Sequence, residues 1–234
     1  QAGDSRLLLD SRVVDRGAVG IVIGGGVHVH PLVSQGCRPI GPPMTVTAAE
    51  GNVIETLAGR RALDQAREVV AALPEPEQAL AVRGLHLGVA MDEYADDHVR
   101  GDFLVRGILG ADEVMGALAV GDVVPVGRTV RFHLRDADGA DADLAGVLGS
   151  FRRATAAPLA GALLFTGNGR GRAMFPSPDH DVLAVQSGLD VDGVGGFFAA
   201  GEFGPVGGRN HLHGFTATVL AFEQTAEAVV GRVT

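Results

Sequence analysis

Two apolar runs that end in glycine-rich turns constrain the fold of this chain more than any other feature of its sequence. Residues 161–166 lead into Gly167-Asn-Gly-Arg-Gly171, and residues 194–200 lead into a turn that begins Gly201-Glu-Phe-Gly204. Glycine allows the backbone to turn sharply and lets another group approach its N–H groups closely. Each run therefore predicts a strand that stops at a turn, and two such turns could build the walls of a small-molecule pocket.

Helices and strands are interleaved irregularly along the chain. Residues 60–73 and 141–153 carry apolar side chains at helical spacing, and shorter helices are expected at 75–82 and 177–189. Several strands follow one another without an intervening helix, unlike a regular βαβ winding. The predicted fold class is α+β (mixed α/β), with mixed, largely antiparallel sheets flanked by helices. The further predicted strands are 85–91, 103–109, 128–134 and 215–222.

The first sixty residues carry more local predictions. Residues 18–23 are a β-branched run typical of a buried strand, and residues 27–33 alternate as a half-exposed edge strand does. Residues 35–43 contain three prolines and two glycines, which predicts a rigid loop. Residues 44–48 and 53–57 predict a hairpin. A partial echo of residues 19–50 in residues 194–223 leaves two related subdomains open, although the order of the parts differs.

Several classes of function are excluded by composition. The chain has 19 arginines and no lysine, so lysine-dependent chemistry such as Schiff-base formation, pyridoxal phosphate attachment and the P-loop is ruled out. The net charge of −9 argues against a nucleic-acid partner. No stretch approaches the roughly 18 apolar residues of a membrane span, so no membrane partner is expected. The single cysteine, Cys37, permits no internal disulfide and predicts a reducing, cytoplasmic compartment.

The chain begins at Gln1 without a methionine, and no charged region precedes an apolar one, so no signal peptide is visible. Apolar residues follow almost at once. We therefore expect a fragment of a longer protein.

Four segments of the chain together resemble the FIST family. They lie at residues 34–41, 103–112, 161–171 and 201–216. The resemblance implies the end of a FIST N-terminal domain over residues 1–58 and a complete FIST C-terminal domain over residues 59–234. Family members often carry cysteine where this chain has Gly167, so no shared thiol role is expected at that position.

The family is described as intracellular sensory domains, found in bacterial signalling proteins and in some eukaryotic F-box proteins. These domains are proposed to bind small ligands such as amino acids. The resemblance therefore implies a cytoplasmic signal-transduction domain, with a small-molecule ligand and a signalling protein as partners.

The candidate ligand pocket lies at the carboxyl ends of the 161–166 and 194–200 strands. Its predicted ligand-binding residues are Asn168, Gly169, Arg170, Gly171, Glu202, Arg209 and His213, with Cys37 and Arg38 contributed by the other domain. The N–H groups after Gly167 could form an anion nest, and Arg170 or Arg172 could clamp a carboxylate. Glu202 could accept an amino group. The competing interpretation is structural: a tight loop, and a Glu202 ion pair with Arg170 or Arg209.

The expected function is a non-catalytic sensor for an amino acid or another small carboxylate, without a cofactor. An alternative is a metal-dependent hydrolase, because His211 and His213, like His28 and His30, have His-x-His spacing and would face one side of a strand. That enzyme would also use Glu202. No fuller hydrolase signature accompanies these residues, so no metal is expected. A third possibility is a protein-interaction scaffold in which the glycine turns are only structural.

Overall fold

A computed structural model of the protein describes residues 6–95, 98 and 101–224. The helices are α1 (Ala62–Ala71), α2 (Glu75–Gly84), α3 (Ala137–Ala154), α4 (Gly171–Met174) and α5 (His180–Leu189). The first strands are β1 (Leu7–Leu9), β2 (Arg12–Val14), β3 (Val29–Ser34), β4 (Arg38–Glu50), β5 (Val53–Leu57), β6 (Arg60–Arg61), β7 (Leu85–Ala90) and β8 (Phe103–Asp112). The remaining strands are β9 (Ala117–Val120), β10 (Thr129–Leu134), β11 (Leu159–Gly167), β12 (Val194–Ala199), β13 (Glu202–Val206), β14 (Arg209–His213) and β15 (Ala217–Glu223).

The larger sheet closes on itself. Its strand order is β4-β10-β7-β8-β9-β5-β6, all antiparallel, and β4 also pairs with β5, so six strands form a ring. Buried side chains such as Leu57, Leu87 and Phe132 fill it, together with Ala62 and Ala66 of α1. Burying a leucine or phenylalanine fully contributes roughly 1.5–3 kcal/mol, so this core holds α1 against the ring.

The smaller sheet has the order β12-β11-β15-β3, in which only the β11–β12 pair is parallel. Helices α3 and α5 cover one face, where Leu148 and Leu189 pack with Leu164 and Val219. The β13–β14 hairpin lies against the other face. None of the helices in the described part of the chain is long and apolar enough to cross a membrane.

A buried segment, residues 34–37, connects the two sheets, and we call it the crossing segment. The Asp143 carboxylate on α3 accepts hydrogen bonds from the Ser34 hydroxyl at 2.7 Å and from the Gly36 backbone N–H at 2.9 Å. The Gln35 side chain donates to the carbonyl of Phe103 at 2.7 Å and accepts from the N–H of Val105 at 2.8 Å. The segment is therefore bonded to the helix layer of one sheet and to a strand of the other.

The predicted fold class is confirmed, since the sheets are largely antiparallel and flanked by helices. The predicted hairpin is present as β4 and β5, with Gly51 at φ +58° in its turn. The predicted edge strand is β3, which carries Pro31. Helix α3 begins earlier than expected, because the Asp136 carboxylate caps it by accepting from the N–H of Gly139 at 2.6 Å.

Two local predictions are wrong. Residues 18–23 form no strand, and Ile21 and Val22 are 88% and 99% exposed, because none of the described strands pairs with this run. Residues 38–43 belong to strand β4 rather than to a loop. Val130 and Phe132 of β10 pair with Met44 and Ile40, so three residues of β4, 41–43, face one residue of β10. Such a bulge accommodates prolines that cannot donate to the ladder.

Candidate functional site

The two glycine-rich turns lie next to each other. Strands β11 and β12 are parallel neighbours, so both end at the same edge of the sheet, with Gly167 opposite Ala199. The N–H of Asn168 donates to the carbonyl of Ala199 at 2.8 Å. A Cβ on Gly167 would lie 3.1 Å from Oε1 of Glu202, so the side chain that follows the second turn reaches the first.

Arg170 lies beneath this edge and not in an open pocket. Its side chain is 0% exposed, and its Nε and Nη2 donate to the two carboxylate oxygens of Asp181 at 2.7 and 2.9 Å. Burial alone would raise the pKa of Asp181, but the hydrogen bonds and charge of Arg170 lower it overall. Its Nη1 is buried without a hydrogen-bond partner among the described residues. The predicted clamp is therefore already bonded to a carboxylate of the protein.

Glu202 is buried as well. Its Oε2 accepts a hydrogen bond from the Thr216 hydroxyl at 2.8 Å, while Oε1 has no partner within the described ranges. Burial raises the pKa of this carboxyl. Glu202 does not pair with Arg170 or Arg209, which differs from the structural ion pair considered from the sequence.

The His211–His213 pair does not form a metal site with Glu202. His213 is buried, its Nε2 lies 3.1 Å from the carbonyl oxygen of Gly204, and burial lowers its pKa. His211 lies 3.5 Å from the guanidinium of Arg106, and the two imidazole rings are 6.1 Å apart. Within the residues that the structure describes, no group of three or more His, Cys, Asp or Glu side chains could hold an ion. The other pair, His28 and His30, lies against Glu223.

Arg209 is separated from the other predicted residues. It pairs with Val206 at the tip of the β13–β14 hairpin, whereas Glu202 pairs with His213 at the base. Four residues along a strand span about 13 Å. Arg209 and Glu202 therefore lie at opposite ends of the hairpin.

Cys37 and Arg38 are the predicted ligand-binding residues that precede strand β4 or begin it. Cys37 is buried, and burial raises the pKa of its thiol to about 11, against the opposing charge of Arg135. Arg38 is paired with Asp136 at 2.8 Å and Glu77 at 2.6 Å. Cys37 is therefore a protonated packing residue, and Arg38 is neutralised at the edge of an open cleft.

This cleft consists of two adjoining cavities of about 850 and 500 Å³. Both cavities are lined by His86, Gly107, Arg135 and Phe215, so we call them together the Arg135 cleft. Of the residues predicted from the sequence, Gly169 and Arg38 line the larger cavity and His213 lines the smaller one.

Arg135 is held in the cleft by neutral groups. Its Nη1 donates to Nε2 of His86 at 2.9 Å, and its Nη2 lies 3.5 Å from the carbonyl oxygen of Gln35 and 3.4 Å from that of Gly214. Since Nδ1 of His86 lies 2.7 Å from the carbonyl oxygen of Gly84, that nitrogen carries the proton and Nε2 accepts. Burial, and then the Arg135 charge, lower the pKa of His86 to about 4. The imidazole is therefore neutral at physiological pH.

The ring of Phe215 stacks against the guanidinium of Arg135. The Arg135 Cζ lies 4.8 Å from the centre of the Phe215 ring, and Phe215 has a φ of +61°, which is unusual for a residue with a side chain. The same ring covers Gly169, where a Cβ would lie 2.0 Å from it. Gly169 is therefore needed so that Phe215 can lie against the turn and stack on Arg135.

The sequence did not identify Arg135 or His86, nor the roles of Asp181 and Phe215; Asp181 was considered only as a possible metal ligand beside Asp179 and His180. A weak signal existed for two of them. Arg135 directly follows the alternating 128–134 run, and Phe215 lies inside the 201–216 segment used for the family resemblance. Nothing in the spacing of His86 or Asp181 indicated their partners.

Two family models and several known proteins match this chain. The model of the FIST N domain matches residues 2–60, and that of the FIST C domain matches residues 62–205. An uncharacterized protein of Mycobacterium tuberculosis (strain H37Rv) is 48% identical over 220 residues, covering 94% of this chain and 57% of the relative. An uncharacterized protein of Mycobacterium bovis is 47% identical over 225 residues, covering 96% of this chain and 58% of the relative.

The chain thus spans less than two thirds of the length of these relatives. No solved structure matches it.

Proposed function

Because this chain belongs to the FIST family, whose members are generally thought to be sensory domains of signal transduction, we propose that it is a non-catalytic sensor of a small ligand. The ligand is an amino acid or another small carboxylate, and it binds in the Arg135 cleft. This site adjoins the pocket expected from the sequence but uses a different arginine.

The charge of Arg135 is the observation that carries this proposal. Its hydrogen-bonding partners in the described part of the chain are one neutral imidazole, two backbone carbonyls and the protonated Cys37 thiol, and its Nε is buried without a partner. Arg38, in the same cleft, already has two carboxylates. A buried arginine nitrogen without an acceptor is costly, and a carboxylate is the acceptor that a guanidinium binds best. A ligand carboxylate would therefore be stabilised at Arg135.

The cleft also offers a group for the amino end of a zwitterion. Asp138, in the first turn of α3, lines the larger cavity and is exposed, and it forms no ion pair with any described residue. Arg135 and Asp138 would then have the roles that the sequence suggested for Arg170 and Glu202. A cytoplasmic location and a signalling partner that detects the bound state complete the proposal.

Isothermal titration of the protein with the twenty amino acids and with acetate, succinate and glutarate tests it. We expect at least one of these ligands to bind saturably, and Arg135→Gln to weaken it by about tenfold or more, as loss of a charge-assisted hydrogen bond does. Arg209→Gln is the matched control, because Arg209 lies at the hairpin tip. Absence of binding by every ligand, or equal affinity for Arg135→Gln, would contradict the proposal and favour the scaffold interpretation.

A further inference from the structure

A second cavity lies on the other side of the 167–171 turn. Its volume is about 380 Å³, and it is enclosed by strand β12, the 171–182 segment and the end of strand β11. Gly169 of the turn lines the Arg135 cleft, whereas Gly171 and Arg172 line this second cavity. The two spaces therefore share one turn but have different walls.

Aromatic and aliphatic groups form most of this wall. The Phe175 ring stacks on the imidazole of His180, with 3.6 Å between ring centroids and an angle of 4° between their planes. Phe198 lies close to Gly171, where a Cβ would be 3.1 Å from the Phe198 ring, yet Phe198 is 60% exposed. Strand β12 adds Gly195 and Gly196, which have no side chains to fill the space. The cavity therefore leaves aromatic surface in contact with solvent.

Of the ionisable groups in this wall, Asp181 and His180 have bonded partners, whereas Asp179 and Arg172 form no ion pair with any described residue. Asp181 is bonded to Arg170, and the two ring nitrogens of His180 lie 3.0 Å from a carboxylate oxygen of Asp141 and 3.1 Å from one of Asp181. Asp179 precedes α5, where the helix N-terminus stabilises a negative charge. Arg172 has no ion pair or hydrogen bond with any residue in the described ranges. Its guanidinium is the charge that a ligand could neutralise.

We propose that this second cavity binds a small planar aromatic carboxylate. The ring of the ligand packs against Phe198 and Phe175, and its carboxylate pairs with Arg172. Pockets for small molecules are commonly apolar with one or two polar groups that fix orientation, and a long arginine side chain can reach over a bound ring to form two hydrogen bonds. The proposal requires no reaction and is independent of ligand binding in the Arg135 cleft.

The test uses three probes with the same ring system: 2-naphthoate, 2-naphthylmethanol and 2-naphthylmethylammonium. Binding to the intact protein is followed by the fluorescence of the probe and by titration calorimetry. We expect saturable binding of 2-naphthoate, at least about tenfold weaker binding of the alcohol, and a similar loss for 2-naphthoate on Arg172→Gln. Phe198→Ala should also weaken binding by about three- to tenfold, the range expected when one aromatic contact is lost.

Each variant has a matched control elsewhere on the surface. Arg209→Gln removes an arginine from the hairpin tip, and Phe203→Ala removes a phenylalanine that is 75% exposed and does not line the cavity. Both should bind 2-naphthoate as the unmodified protein does. Preference for the ammonium probe, or absence of saturable binding, would overturn the proposal. So would loss of binding on Arg135→Gln but not on Arg172→Gln, because the probe would then occupy the Arg135 cleft.

Discussion

The surroundings of Arg170 and of Arg135 differ sharply, although both arginines follow a strand and both approach the crossing segment. A Cβ on Gly36 would lie 2.6 Å from Nη1 of Arg170, and Nη2 of Arg135 lies 3.5 Å from the carbonyl oxygen of Gln35. Arg170 is fully buried against the Asp181 carboxylate, whereas Arg135 lines two cavities and has neutral partners. The first arginine stabilises the fold, and the second is the one at which we propose that a ligand binds. Neighbouring glycines indicate where a turn lies, but the partner of the arginine decides its role.

Replacement of Arg170 should have the largest effect. Arg170→Met leaves the Asp181 carboxylate buried without its main partner, which typically costs about 3–5 kcal/mol in the free energy of unfolding. Urea unfolding followed by circular dichroism measures this loss. Arg135→Met should cost about 1 kcal/mol or less, because no carboxylate in the described structure loses an ion pair. Equal losses for the two variants would show that Arg170 and Arg135 contribute alike to stability, contrary to their different partners.

Replacement of Gly169 should cause the next largest loss of stability. In Gly169→Ala the new Cβ would overlap the Phe215 ring, which must then leave its position over the turn and over Arg135. We expect a loss of about 1–3 kcal/mol in the free energy of unfolding, as for other overpacked sites. Gly214→Ala is the control in the same cleft, since its Cβ would meet no atom within 4 Å. If both glycines tolerate alanine equally, Phe215 is not held by the turn.

The buried carboxyls of Glu202 and Asp181 should respond to pH in opposite directions. The pKa of Glu202 is raised in the folded state, so its contribution to stability is complete below the unfolded value of 4.5 and is lost as pH rises through the folded pKa. The pKa of Asp181 is lowered, so its contribution is present above the unfolded value of 3.8 and is lost as pH falls through the folded pKa.

Unfolding curves of Glu202→Gln and Asp181→Asn over pH 3 to 8 separate these contributions. The stability of Glu202→Gln should fall less than that of the unmodified protein as pH rises above about 4.5. The stability of Asp181→Asn should be lower near neutral pH and vary less in acid. Parallel pH profiles for both variants would contradict the assignment of one paired and one unpaired carboxyl.

The smallest expected effect is on the reactivity of Cys37. The charges of both Arg135 and Arg170 lower the pKa of its thiol, but burial outweighs them. Because burial raises its pKa to about 11, the thiolate is scarce at pH 8. Ellman's reagent should react slowly with the native protein and completely with the unfolded protein. Rapid labelling of the native state would show that the crossing segment opens readily.

Regular side-chain patterns made much of the fold predictable. The helical spacing in α1 and the glycine turn between β4 and β5 identified those elements, because each depends on neighbouring residues. The prediction of a strand at residues 18–23 was wrong, since a β-branched sequence forms a strand only where another strand pairs with it. The β13–β14 hairpin was missed because histidine, asparagine and glycine obscure its alternation.

The site was less predictable than the fold. That Gly167 and Glu202 come together follows from two strands that end at one edge of a sheet, and the glycine turns made this visible. The pairing of Arg170 with Asp181 depends on how α5 packs against β11, and that of Arg135 with His86 depends on the β7–β10 register. Neither contact leaves a local pattern in the sequence.

The crossing segment also has a mechanical consequence. The ring takes β4 and β5 from before residue 60 and its other strands from residue 60 onward, and the smaller sheet takes β3 from before it and three strands from after it. The junction between the two family matches, near residue 61, is therefore not a seam at which the molecule can be divided. Residues 34–37 are hydrogen-bonded to α3 and to β8, so separating the two sheets would break these bonds. The two sheets should consequently unfold together, in a single cooperative transition.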